Sequence, residues 1–380
     1  MSDRPSPPRA AYIHVPFCAH RCGYCSFTVV AGRDDLVDVY LQALEKELNR
    51  SGEVRPVQSI FLGGGTPTRL AIEPLTRLLE MIARVHPLEI GGEYSAEANP
   101  LDVTPEVAAT LADHGVNRLS LGAQSFHPPT LKALERDHAP DQIVRAVEHA
   151  RTRIENVSLD LIFAGPQQDL ALWNADLDAA LRLAPSHIST YGLTYERGTQ
   201  FWNRRQKGEL SEVDEELQAA MYETGIDRLT AAGYEHYEAS NFARPGRRCR
   251  HNEVYWAGEE YFAYGPGASR YVGGTRETNH RSTTTWIKRV LAGDDPTAER
   301  ETLAPLDRAR EAAVFGLRRL DGWRRDDFLQ RTGVSLDELL GPLLPQRVAQ
   351  GFLIDDGARV RLTRAGLLVS DSLWPDFLGG

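Results

Sequence analysis

Apolar residues along the first 230 positions fall into two alternating rhythms. Short runs rich in β-forming residues, at 11–15, 57–62, 92–98, 116–121, 157–163 and 187–193, predict strands. Between them the spacing becomes helical. Val37, Leu41, Leu44 and Leu48 recur within 34–50, Leu75, Leu78, Leu79 and Ile82 follow, and the same period returns at 104–114, 140–151 and 170–183. Six successive β-then-α units predict a parallel sheet with helices outside it. Six are too few for a closed eight-fold barrel, so the expected fold class is α/β, a partial, splayed (β/α)6 barrel with one open side.

From about Leu303 the pattern turns helical, at 309–320, 326–331 and 336–350. Residues 352–362 then alternate about Asp356-Gly357, a hairpin signal, and 363–372 close as a helix. Helices followed by a small hairpin predict a compact winged-helix-like domain. The expected division is a barrel domain over 1–240, a connector over 241–300 and a C-terminal domain over 301–380. Within the connector, Gly265-Pro-Gly-Ala-Ser lacks the strand-then-lysine context of a phosphate loop.

Composition narrows the class. Hydrophobic residues make up 42% and charged residues 25%, as in ordinary soluble proteins. No run reaches the length of a membrane span. The start, Met-Ser-Asp-Arg-Pro-Ser-Pro-Pro-Arg, has no apolar signal-peptide core, so the expected compartment is the cytoplasm. A net charge of −10 argues against a nucleic-acid surface, which needs a basic field.

Three of the four cysteines, Cys18, Cys22 and Cys25, form a C-x3-C-x2-C run directly after the first predicted strand. Three thiolates on one loop can hold three irons of a four-iron, four-sulfur cluster and leave the fourth iron open. An amine and a carboxylate on one small molecule, as in S-adenosylmethionine, can chelate that iron. A structural zinc site completed by His14 or His20 is the bland alternative, although a second C-x2-C hook is missing. A disulfide reading is weaker, because three cysteines within eight residues cannot all pair. The spacing, with Tyr24 just before the last cysteine, resembles the radical S-adenosylmethionine superfamily.

The other polar oddities fall where a parallel α/β fold binds ligands, at the carboxyl ends of its strands. Gly63-Gly64-Gly65-Thr66 ends the second strand, where bare backbone lets a ligand approach. Glu97 ends the third, Gln124 follows the fourth, Asp160 lies in the fifth, Thr194 follows the sixth, and Arg136 sits beyond Gln124. Singly, each has a dull explanation as a cap or surface residue. As a set they suit the cofactor: a guanidinium for its carboxylate, Gln and Asp for its ribose, Tyr24 for its adenine.

The stretches Tyr12-Ile-His-Val-Pro-Phe-Cys18, Leu62-Gly-Gly-Gly-Thr-Pro-Thr68, Leu119-Ser-Leu-Gly-Ala-Gln-Ser125, Asp160-Leu-Ile and His187-Ile-Ser-x-Tyr-x-Leu193 narrow the resemblance. They are similar to the branch related to oxygen-independent coproporphyrinogen III oxidase, over essentially the whole chain. That resemblance implies contacts to S-adenosylmethionine from Tyr12, Tyr24, Gly64, Gly65, Thr66, Glu97, Gln124, Arg136, Asp160 and Thr194. One stretch departs from the pattern, Ala164-Gly165 after Asp160-Leu-Ile-Phe, which puts the local turn in doubt. The branch holds a decarboxylating oxidase and a heme-handling relative regarded as a heme chaperone. The oxidase carries a further cysteine where this chain has Phe27, and a long extension where only 17 residues precede Cys18. His251-Asn252-x-x-Tyr255-Trp256 resembles the heme-binding segment of the chaperone.

An imidazole is a good axial ligand, and Tyr and Trp offer flat faces to a porphyrin. A lone histidine beside Tyr and Trp is more often a packing residue, and His14, His187 and His236 are the next candidates. The resemblance thus implies a [4Fe-4S] cluster, S-adenosylmethionine and heme as cofactors, and an acceptor protein as partner. The alternatives are a coproporphyrinogen decarboxylase and a zinc-stabilised binding protein.

Overall fold

The computed structural model describes residues 8–379, so the polar start lies largely outside the described residues. Six parallel strands form in sequence order. They are joined by helices: β1 (Ala10–Val15), α1 (Val37–Leu48), β2 (Val57–Gly64), α2 (Ile72–Val85), β3 (Leu88–Ala98), α3 (Pro105–Asp113), β4 (Arg118–Gln124), α4 (Pro140–Arg151), β5 (Asn156–Phe163), α5 (Leu170–Arg182) and β6 (His187–Gly192). Capping sets several helix starts: the side chains of Thr104 and Asp169 accept the amides of Val107 and Leu172.

The sheet is wider than six strands. After α6 (Glu215–Ala231) come β7 (Glu235–Glu238) and β8 (Asn241–Ala243); β8 adds antiparallel to β6, and β7 pairs antiparallel with β8 at the edge. Beyond α7 (Arg250–Trp256), β9 (Phe262–Tyr264) adds parallel to β1. The order is therefore β9-β1-β2-β3-β4-β5-β6-β8-β7. The three additions escape the sequence reading because strands of three or four residues carry too little periodicity to read. Strands β10 (Ser269–Val272), β11 (Thr275–Asn279) and, after α8 (Thr283–Ala292), β12 (Thr297–Thr302) make a separate antiparallel sheet.

Residues from 305 onward pack a second core. Its elements are α9 (Pro305–Leu317), β13 (Trp323–Arg324), α10 (Arg325–Thr332), α11 (Leu336–Leu340), α12 (Leu343–Ala349), β14 (Leu353–Asp355), β15 (Arg359–Leu362), α13 (Arg364–Leu368) and α14 (Ser370–Leu378). The single helix expected over 336–350 is two helices. Gly341 takes a positive φ of 49° and Pro342 follows it, which ends one helix and starts the next.

The two faces of the main sheet differ in chemistry. Ile60, Leu62, Ala96, Leu119, Leu121, Leu159 and Ile188 face the helices and belong to the main core. The alternate positions are polar and lie opposite one another across the strands. Ser59 pairs with Glu93, Ser95 with Arg118, Glu97 with Ser120, Ser158 with His187, and Asp160 with Ser189. Strands of a parallel sheet buried on both faces normally read as continuous apolar runs. Here the inner face is a polar lumen, open at one end and closed at the other.

Candidate functional site

At the open end the two-residue strands Phe17–Cys18 and Val30–Ala31 pair in parallel and pinch off the cysteine loop. The loop closes on itself where Cys25 N–H donates to the Cys22 carbonyl at 3.0 Å. It forms one wall of a cavity of about 430 Å³, a volume in the range that encloses a small ligand. Cys18, Cys22 and Cys25 line this cavity together with Tyr24, Gly64, Gly65, Thr66, Glu97, Gln124, Arg136, Asp160 and Thr194. Tyr12 stands behind the wall instead, stacked on Phe61 with ring centroids 6.3 Å apart and its hydroxyl 2.9 Å from His14 Nδ1.

Arg136 ties the loop to the barrel. One Nη donates to Cys22 Sγ at 3.4 Å and the other to the Gly122 carbonyl at 3.1 Å, while its buried Nε–H has no acceptor. A buried unpaired donor is costly, and here it belongs to a cavity-lining guanidinium. Opposite it, Glu97 accepts the Gly64 amide at 2.9 Å. Burial pushes Glu97 up to about 7, and the Asp160 carboxylate adds to that shift. Ser120 Oγ donates to both carboxylate oxygens of Asp160 at 3.1 Å, and burial raises Asp160 as well. Burial likewise pushes the Cys18 thiol up to about 11, against the 3.6 Å contact with Thr66 Oγ1.

The glycine turn meets a second requirement besides the one expected. A Cβ on Gly64 would fall 2.3 Å from the His14 ring, and one on Gly65 would fall 2.7 Å from the Phe17 carbonyl. Both glycines are required by the protein's own packing against β1, before any ligand is considered.

The imidazoles offered as a zinc ligand are already engaged. His14 Nε2 donates to the Thr28 carbonyl at 2.6 Å, and His20 Nε2 donates to the Glu135 carbonyl at 2.6 Å. Among the described residues no three His, Cys, Asp or Glu side chains converge on a single-ion site. Three thiols spread along a cavity wall, beside a guanidinium with an unpaired N–H, fit a multi-iron cluster with a chelating carboxylate better than they fit one ion.

The His251 segment lies at the closed end. Helix α7 enters the lumen there, and Glu93 caps it by accepting the amides of Arg250 and His251 at 3.2 and 3.3 Å. His251 is 1% exposed, with Nδ1 3.0 Å from Ser59 Oγ and Nε2 2.9 Å from the Tyr255 hydroxyl. Burial, aided by the Arg118 charge, pushes its pKa down to about 3. Ser59 and Tyr255, rather than the adjacent Asn252, thus fix the orientation of this ring. His187 repeats the arrangement between Ser158 and Tyr237, at 2.8 Å on each nitrogen. Trp256 faces outward, against Phe315 of α9.

The open-end cavity also contains Ser120, Ile162 and Tyr191, which lie within the family-like stretches but are not among the expected cofactor contacts. The readable signal is the polar residue at alternate strand positions, as at Glu93, Ser95 and Glu97 or at Ser158 and Asp160.

Two family matches divide the chain: the Radical SAM superfamily over residues 12–178 and the HemN C-terminal domain over residues 303–369. The fold is similar to the solved coproporphyrinogen III oxidase HemN of Escherichia coli, with a TM-score of 0.85 over 98% of this chain and 91% of that one, at 22% identity. The chain is 37% identical to the heme chaperone HemW of Bacillus subtilis (strain 168), covering 98% of this chain and 99% of the relative. It is 36% identical to the heme chaperone HemW of Lactococcus lactis subsp. lactis (strain IL1403), covering 98% and 97%. A radical SAM barrel, a HemN-type C-terminal domain and full-length identity of this order place the chain in the HemW family of the radical SAM superfamily.

Proposed function

We propose that this protein is a cytoplasmic heme chaperone. It carries a four-iron cluster on Cys18, Cys22 and Cys25, binds S-adenosylmethionine beside it, and passes heme to an acceptor protein. The observation that carries the cofactor part is the shared cavity, in which three thiols and the unpaired Nε–H of Arg136 line one space. Such a cluster, with one iron free of protein ligands, supplies a chelation point for an amine and a carboxylate.

The chain's own residues do the rest. The Arg136 guanidinium receives the carboxylate. Asp160, held by Ser120, and Gln124 accept ribose hydroxyls, and Tyr24 packs against the adenine. Glu97 fixes the turn that borders the ligand through its bond to the Gly64 amide. The heme part is supported by full-length similarity to proteins named heme chaperones. Phe27, 59% exposed at the cavity mouth where the oxidase branch has a further cysteine, supports a carrier over a decarboxylase.

The test is anaerobic reconstitution of the full chain, followed by a heme titration and, separately, an assay of coproporphyrinogen III conversion. Saturable heme binding without protoporphyrinogen formation is expected. Robust decarboxylation without heme binding would overturn the reading in favour of the oxidase.

A further inference from the structure

Backbone pairing joins the barrel to the C-terminal core just beyond α9. Arg319 bridges to Glu238 of β7, and the Leu320 amide donates to the Tyr237 carbonyl at 3.0 Å. The chain then reverses. The Gly322 amide donates to the Arg319 carbonyl at 2.9 Å, and Gly322 takes a positive φ of 60°. A Cβ there would fall 2.1 Å from the Val360 carbonyl, so the turn is pressed against β15. Strand β13 follows, with Arg324 directly opposite Arg359 of β15. Like charges opposite one another across antiparallel strands are destabilising.

These arginines and Arg331 of α10 border a cleft of about 550 Å³, room enough for a small ligand. Three carboxylates share the cleft, and each already has a guanidinium. Asp321 meets Arg248 at 3.1 Å, Asp327 meets Arg324 at 3.7 Å, and Glu259 meets Arg331 at 3.8 Å. Arg319 and Arg359 are left with no ion pair among the described residues. Arg359 donates to a neutral group, the Asp321 carbonyl, at 2.6 Å. Arg319 lies over the Trp323 ring, 4.9 Å from its centroid, and its buried Nε–H has no acceptor. Burial pushes the Arg319 guanidinium below its ordinary value, and the Arg331 charge acts in the same direction. Unpaired guanidiniums crowded together cost stability until an anion neutralises them.

We infer that this cleft is a binding site for a small phosphate-bearing anion. A guanidinium fork matches the oxygens of a phosphate, and two unpaired forks beside a like-charged neighbour suit a multiply charged group. Trp323, the one aromatic side chain in the lining, is buried beneath Arg319 and offers no open face for a flat ring. Recognition therefore falls on the phosphate and not on a stacked base. An anion held by Arg319 and Arg359 ties the residue paired to β7 of the barrel to β15 of the C-terminal core. The site is separate from the cysteine-lined cavity, and the heme-carrier reading neither supports it nor depends on it.

The test is calorimetric titration of the reconstituted full chain with pyrophosphate at constant ionic strength, with citrate as a polyanion that lacks phosphate. Saturable pyrophosphate binding, tighter than that of citrate, is expected. Arg319→Gln should weaken it about tenfold, as a charge-assisted hydrogen bond in a partly buried site is lost. Arg359→Gln should weaken it about three- to fivefold, the size of a more exposed charge pair. Arg364→Gln should leave it unchanged, because Arg364 is held by Asp227 and Glu223 outside the cleft. Arg359 lies on a partly exposed strand position, so its variant carries the test should Arg319→Gln not fold. A wild-type chain without saturable binding, or folded variants at 319 and 359 that bind as tightly as wild type, would overturn the site. Citrate binding equal to that of pyrophosphate would overturn the choice of phosphate.

Discussion

The two ends of the barrel lumen are built from the same strands and the same residue types, yet they differ in what their unpaired groups face. Arg118 Nε–H lacks an acceptor inside the closed end, whereas the unpaired Nε–H of Arg136 belongs to a cavity-lining guanidinium. At the open end Arg136 has an unpaired Nε–H and the three thiols line a cavity. At the closed end every nitrogen of His187 and His251 has a hydroxyl within 3.0 Å, and α7 is capped by Glu93. Buried polar groups that satisfy one another hold a fold together, whereas unpaired ones facing a cavity await a ligand. The lesson concerns the motif His251-Asn252-x-x-Tyr255-Trp256. Its residue types suit heme, and in this structure its histidine is hydrogen-bonded to hydroxyls on both ring nitrogens.

The largest effect should come from the open end. Cys22→Ala should abolish the four-iron cluster, measured as iron and sulfide after anaerobic reconstitution, because a thiolate ligand is lost outright. Cys249→Ala should keep the cluster, since Cys249 is buried beside Glu93, away from the loop. Stoichiometric zinc without sulfide in the wild-type chain would remove the contrast altogether.

At the closed end the expected cost is in stability. His251→Ala removes a ring packed on Phe61 and strands the hydroxyls of Ser59 and Tyr255. Unfolding in urea should report a loss of about 2–4 kcal/mol. A variant as stable as wild type would mean that water or a ligand replaces the ring, and the closed end would then not be closed.

Much of this contrast lies beyond what a linear reading reaches. Cys18, Cys22 and Cys25 are legible because their spacing is local. The six parallel strands are legible because each is five residues or longer with a clear rhythm. Arg136 is legible from its place beyond Gln124 and from the resemblance, but its tie to the loop is a contact 114 residues apart in sequence. The place of His251 between Ser59 and Tyr255 is not legible, because a motif records the order of side chains, not which of them turns into the lumen. One lumen-facing serine on each of β2 to β6, Ser59, Ser95, Ser120, Ser158 and Ser189, marks the polar face that both ends share. The glycines at 64 and 65 were recognised, but the atoms that require them, on His14 and Phe17, come from the neighbouring strand and its exit.

A smaller effect separates ligand binding from folding. Arg136→Ala should weaken S-adenosylmethionine binding by about 1.5–3 kcal/mol, as a charge-assisted hydrogen bond is lost. Calorimetry on the reconstituted chain measures this, with urea unfolding as the control. Gly64→Val is a poor substitute, because its side chain would collide with His14 and disturb the fold first. Equal cofactor affinity in Arg136→Ala and wild type would show that the guanidinium serves only Cys22 and Gly122.

The last and smallest effect sets the two ends against each other in pH. Burial, with the Arg118 charge behind it, holds His251 near 3, against an ordinary value of 6.5. The unfolded chain takes up a proton there that the folded chain refuses. The stability this provides is complete above pH 6.5 and is lost as pH falls towards 3. Burial holds Glu97 near 7, against an ordinary 4.5, so the folded chain keeps a proton that the unfolded chain releases. Its contribution is complete below pH 4.5 and is lost as pH rises through 7. Between pH 4.5 and 6.5 the two groups therefore pull in opposite directions, each by at most about 1.4 kcal/mol per pH unit. His251→Gln should make urea-derived stability less sensitive to acid across this window, and Glu97→Gln should make it more sensitive. Parallel pH profiles for wild type and both variants would mean that neither end holds its proton state by burial, and the contrast between them would lose its electrostatic half.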